Sequence, residues 1–151
     1  MKRLTLMAIA LLVVFICTTT ASNAKAQMPA ILSVGDYYIF GQYDQDNNAE
    51  NGLEPIEWLV LAQEGDRVLL LSRLSLDYQS YHNAGGDIIW KDAAVRAWLN
   101  QDFFLNAFSH SEQDAIPEQV ISNAPDQGNA DWETTAGDNT KDRVFLLSIA
   151  E

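Results

Sequence analysis

Apolar and polar positions fall in blocks along this chain, and the first block is the most distinctive. Lys2 and Arg3 precede an unbroken apolar run from Leu6 to Cys17, and a small, polar stretch then ends in Ala24-Lys25-Ala26. A basic start, an apolar centre and a small-x-small end, in that order, form the pattern of an export leader that is cut off. The run is about 12 residues, short of the roughly 20 that span a bilayer as a helix. That length argues against an uncleaved anchor. Ile16 in front of Cys17 argues against a lipidated cysteine. The pattern predicts a cleaved signal peptide over residues 1–26 and one exported domain over 27–151, secreted or held at the cell envelope. No transmembrane segment is expected after cleavage.

The rest of the chain reads as short elements. Gly35-Asp36 turns into Tyr37-Tyr38-Ile39-Phe40, a β-rich run that Gly41 is expected to end. Residues 44–54 are a polar loop with turn residues throughout. A second strand is expected from Ile56 to Ala62 and a third from Arg67 to Ser72, joined by the tight turn Glu64-Gly65-Asp66 as a hairpin. The continuous apolar run Val68-Leu69-Leu70-Leu71 predicts burial on both faces. Asp92 stands where a helix N-cap is expected, and Val95, Trp98 and Leu99 then share one helical face. Phe103, Phe104, Leu105 and Phe108 continue into a second short helix. Ser109-His110-Ser111-Glu112 is a capping box for a third, which Pro117 stops after about Ile116. Val120-Ile121 predicts a short strand, residues 123–142 a long polar loop, and Arg143 to Ile149 a last strand. The expected fold class is α+β, with antiparallel β-hairpins packed on two or three short helices.

Charge and cysteine content narrow the chemistry. The chain has 9 basic and 21 acidic residues, net −12. Lys2, Arg3 and Lys25 leave with the leader, so the mature balance is 6 against 21, or −15. A field of that sign repels phosphate backbones, so nucleic acid is not an expected partner. Cys17 is the one cysteine and also leaves with the leader. The mature chain therefore has no disulfide, thiol nucleophile or thiolate metal site. All four Trp and all five Tyr lie in the mature part, which supplies an apolar core instead.

An ordered set of residues is similar to a known family. It comprises Gly35-Asp36, Phe40-Gly41, Pro55-Ile56-Glu57-Trp58, Gly65-Asp66-Arg67 and Leu69-Leu70-Leu71-Ser72. It continues with Arg96-Ala97-Trp98-Leu99-Asn100, Phe103, Ala107-Phe108, Glu112, Ile116, Gly137-Asp138-Asn139-Thr140, Asp142 and Val144-Phe145-Leu146-Leu147-Ser148. Together these resemble the bacterial exported domain called domain of unknown function 6273, over about residues 34–151. The resemblance implies an extracytoplasmic mixed α/β module, often attached to other surface modules, with no established activity and no known catalytic residues. The family's second half, with a Trp-Leu-Arg-Ser-type segment and a closing strand near Val-Arg-Pro, is not found here. The resemblance thus implies the front half of the domain only. The missing half resembles the core of C-type-lectin-like and formylglycine-generating-enzyme-like folds, a kinship that would imply ligand binding on loops.

Two loops carry candidate chemistry. Asp44, Asp46 and Asn48 give the alternating oxygen ligands that open a calcium loop, but Ala49 replaces its glycine and Pro55 stands in place of its bidentate glutamate. A solvated hairpin loop explains the same residues. Asp126, Asp131, Glu133, Asp138 and Asp142 surround Trp132 in the long loop. Asp131, Trp132 and Asp138 form the expected ligand site, with the indole stacking on a sugar ring and calcium as an optional aid. A mobile polar loop is the plain alternative. His82 and His110 lack metal-ligand spacing. No Gly-x-Ser-x-Gly elbow presents a serine nucleophile, and no carboxylate pair stands out for glycosidase work. Trp98 is expected in the core.

The leading expectation is a secreted, non-catalytic binding module for a cell-surface glycan or protein, with no cofactor unless calcium. The alternatives are a carbohydrate-active hydrolase using Asp and Glu, and an incomplete domain without independent function.

Overall fold

A computed structural model describes residues 7–9, 12–17, 32–84, 86–125 and 136–148. The leader pattern and the loop that holds Asp126, Asp131, Trp132 and Glu133 lie largely or wholly outside them. The fold is α+β. Nine strands are described: β1 (Met7–Ile9), β2 (Leu12–Cys17), β3 (Tyr37–Tyr43), β4 (Glu54–Glu64), β5 (Arg67–Ser72), β6 (Tyr78–Ser80), β7 (Gln119–Ile121), β8 (Thr140–Asp142) and β9 (Val144–Leu146). The main sheet runs β3-β4-β5-β2-β9, and β1-β6 and β7-β8 form two small ones. Every described pairing is antiparallel.

The β4–β5 hairpin forms where the apolar pattern put it. Alternation sends Ile56, Trp58, Val60, Val68 and Leu70 inward, all essentially without exposure. Leu69 and Leu71 are half-buried on the other face. β3 does not end at Gly41, as the turn residue suggested. It bends there: the register shifts between Ile39 and Gln42, and the strand continues to Tyr43. Gly41 adopts φ 73°, a conformation that costs other residues steric strain.

The helices lie against the inner face of this sheet. α1 (Ala94–Trp98) runs through a wide turn, Leu99–Phe103, into α2 (Phe104–Ala107). Asp92 does not cap α1. It closes a single 3-10 turn, Trp90–Asp92, and Ala93 takes the N-cap position without a side-chain bond. The capping box does form at α3 (His110–Ala115), with Glu112 accepting from the Ser109 N–H at 2.8 Å. The core is aromatic. Phe108 lies tilted against Phe40 (5.4 Å), stacks on Trp58 (6.2 Å) and meets Phe103 edge-on at 87°, arrangements that add to plain burial.

The last strand is shorter than its apolar run, only Val144–Leu146, and among the described strands pairs with β2 alone. β2 lies inside the segment expected to leave on export. In the uncleaved chain it fills the position between β5 and β9.

Candidate functional site

The long-loop end of the molecule is organised by one buried charge. Asp142 was grouped with the loop acids, but it lies in β8 and has no side-chain exposure. Its Oδ1 accepts from Arg96 Nε at 2.7 Å, and its Oδ2 accepts from Trp90 Nε1 (2.9 Å) and Thr140 Oγ1 (2.7 Å). Arg96 also donates to the Lys91 and Lys141 carbonyls. One helical turn on, Asn100 Oδ1 accepts the Arg143 and Val144 N–H groups, and its Nδ2 donates to the Val144 carbonyl. A buried carboxylate held by three hydrogen bonds and an arginine ties these segments together. Asp138 is exposed and pairs with Lys91 at 2.8 Å. The hydrogen bond to that ammonium holds its carboxyl below the ordinary carboxylate range. Asp131 and Trp132 lie outside the described residues.

The second acidic loop turns back on itself. The Asn48 N–H donates to both Asp44 Oδ1 and Asp46 Oδ1 at 3.0 Å, and Asn51 Nδ2 donates to Asp46 Oδ2. These are turn-stabilising bonds. Asn48 Oδ1 accepts from the Glu50 N–H, within the loop. The third carboxylate here is Glu54, at the start of β4. Asp44, Asp46 and Glu54 bring one oxygen each to within 4.8 Å of one another. Glu54 Oε2 accepts from the Gln45 N–H at 2.7 Å, while Oε1 is buried with no described partner. The fixed calcium-loop template puts Pro55 at its glutamate position, so Glu54 falls outside it. A glutamate one residue earlier was the available signal.

A groove of about 310 Å³ opens between β6 and the α1 helix run. Its walls are Gln79, Ser80 and Asn83 on one side and Ala94, Ala97, Trp98, Gln101 and Asp102 on the other. Small Ala94 and Ala97, one helical turn apart, lower the floor. Trp98 is half-buried: one part of its ring meets Phe103 at 5.5 Å, and the rest borders the groove. It was expected wholly in the core. Trp58 and Trp90 donate their indole N–H groups to the Phe40 carbonyl and to Asp142. Among the described residues the Trp98 N–H has no such partner, nor do the amides of Gln79, Asn83 and Gln101. A half-exposed indole beside unpaired amides offers a stacking face and neutral donors and acceptors.

The family model described as Domain of unknown function (DUF6273) matches residues 65–151. The chain belongs to this family. The match starts at the β4–β5 turn and takes in the whole groove and the Arg96–Asp142 network, while Asp44, Asp46 and Glu54 precede it. The resemblance read from the sequence began earlier, near residue 34. No curated protein and no solved structure matches the chain. Among the described residues, no helix is long and apolar enough to cross a membrane.

Proposed function

We propose that the chain is exported, loses its leader, and works outside the cytoplasm as a non-catalytic binding module for a neutral, hydroxyl-rich ligand of the glycan class. The observation that carries this reading is the groove of Gln79, Asn83, Trp98 and Gln101. Three amides without a partner among the described residues, set around an indole, can exchange hydrogen bonds with hydroxyls while the ring covers the apolar face of a sugar. Among the described residues its lining has one carboxylate, Asp102, and no cationic side chain. That composition suits an uncharged ligand better than an anion.

A glycan array probed with the exported protein tests this. Gln101→Ala is expected to abolish the signal while leaving the melting temperature in place. Trp98→Phe, which keeps the contact with Phe103, is expected to weaken it. Loss on Trp132→Ala with Gln101→Ala unchanged would move the site to the long loop, and a blank array would remove the glycan reading.

A calcium site at Asp44, Asp46 and Glu54 is the second reading. Its support is Glu54 Oε1, a buried acceptor without a described partner beside two further carboxylates. An oxygen-only cluster suits a hard cation.

A further inference from the structure

β2 is the middle strand between β5 and β9, yet it belongs to the stretch that carries the export pattern. Its removal has a geometric consequence. β5 keeps β4 on its other side through six register pairs, from Trp58↔Ser72 to Glu64↔Arg67. β9 keeps its place through Asn100, which bonds the Arg143 N–H and both backbone groups of Val144, and through the adjoining Asp142–Arg96 pair. None of these contacts uses the leader. Neighbouring strands lie about 4.8 Å apart, so a missing strand leaves β5 and β9 roughly 10 Å apart. They cannot pair across that gap. The open edge of β5 then presents the backbone groups of alternate residues, and β9 presents those of Phe145, Val144 being held by Asn100; unpaired edges of this kind recruit another strand.

We propose that the leader-free protein is a strand acceptor, and that the slot between β5 and β9 takes an extended apolar strand from another polypeptide, antiparallel to both walls. The proposal rests on the export reading. Recognition is by strand addition to a sheet, here with two edges in place of one. The pairing of β2 defines the donor. Five residues pair with β5, from Val13↔Leu71 to Cys17↔Arg67, and three pair with β9, from Leu12↔Leu146 to Val14↔Val144. The donor residue at the Val14 position lies opposite Leu70 and Val144, both without exposure. A polar group there would be buried unpaired, so this position is apolar. The Val13 position lies opposite Leu71 and Phe145 and favours an apolar residue too. Proline is excluded because both edges require the ladder. The mature body carries net −15, so lysine or arginine flanks favour association over acidic ones.

The test uses the exported protein from its native host, with its intact mass recorded first. A synthetic peptide with the Leu12–Ile16 sequence between lysine pairs is titrated in, and amide exchange is followed. Saturable binding is expected, with exchange slowed at least about tenfold at the amides within Val68–Leu71 that face the slot and at Phe145, the Val144 N–H being bonded to Asn100 already. A peptide with proline at the Val14 position is expected to protect neither. Leu71→Lys, at a half-buried position, is expected to weaken peptide binding about tenfold or more by placing a charge on the slot wall. Two results overturn the proposal alone: a leader-free protein whose β5 and β9 amides are unaffected by the peptide, or one in which both are slow before it is added. A mass that retains residues 1–26 overturns the export reading itself, and the slot with it, since the chain then fills its own gap.

Discussion

Arg96 and Asp142 stand 46 positions apart and meet at 2.7 Å, with the carboxylate wholly enclosed. The pair joins the first turns of the helix run to β8, and through Asn100 to β9. A helix with a single buried residue, Val95, is thereby tied to a strand only three residues long.

Arg96→Ala removes the partner of a buried charge. Breaking such a pair costs about 3–5 kcal/mol, and the lower end is expected because the arginine side chain keeps some water contact. Urea denaturation of Arg96→Ala, Asp142→Asn and the double variant gives the coupling. The double variant is expected to lose clearly less than the two single losses combined. Additive losses would show that the pair contributes nothing as a pair.

Gly41 is the second structural pivot. A Cβ there would stand 2.7 Å from two ring carbons of Phe108 and 2.8 Å from the Ala107 carbonyl oxygen. Its amide also donates to Glu112 Oε1 at 3.0 Å, so strand bend, core ring and α3 cap meet at one residue. Gly41→Ala is expected to cost about 2–4 kcal/mol, from the left-handed backbone and the clash together. A loss under about 0.5 kcal/mol would mean that Phe108 yields without resistance.

Tyr43 donates its hydroxyl to Asp77, and burial, followed by this bond, pushes its pKa well above the ordinary tyrosine value. A raised folded-state value favours the protonated form in the folded chain. That stabilisation is complete below the unfolded value, near pH 10, and is lost as pH climbs towards the folded value. Stability is therefore expected to fall above pH 10, and Tyr43→Phe is expected to flatten that part of the profile. Identical alkaline slopes in the two proteins would rule out Tyr43 as the cause.

Millimolar calcium is expected to raise the melting temperature if Asp44, Asp46 and Glu54 bind it. At a hundredfold excess over Kd the gain is about 2.7 kcal/mol. Glu54→Gln is expected to remove the shift. An unchanged melting curve across the titration leaves the loop as a plain turn.

The hairpin was legible in the sequence. Its strands bury alternate residues within a short stretch, and Gly65 supplies the turn between them, so the signal is local. The α3 cap was legible for the same reason. Asp142 was not. Its neighbours in sequence are polar, and its partners Trp90 and Arg96 come from a distant segment, so its environment is invisible along the chain. Trp98 was legible only in part. Its spacing from Val95 and Leu99 marks an inward face, but the small side chains of Ala94 and Ala97 leave one edge of the ring uncovered. Glu54 escaped because its role depends on how far the loop folds back.

Periodicity, turn residues and composition by themselves determined the α+β class, the β4–β5 hairpin and the acidic, thiol-free body beyond residue 26, because these follow from neighbouring residues and from simple counts. Only tertiary structure decided which acid is buried, which indole borders a groove, and that β5 and β9 face each other across one strand. Those outcomes depend on distant backbone segments arriving at the same place, and hydrogen-bond geometry and close packing act over a few ångströms in space, whatever the separation along the chain.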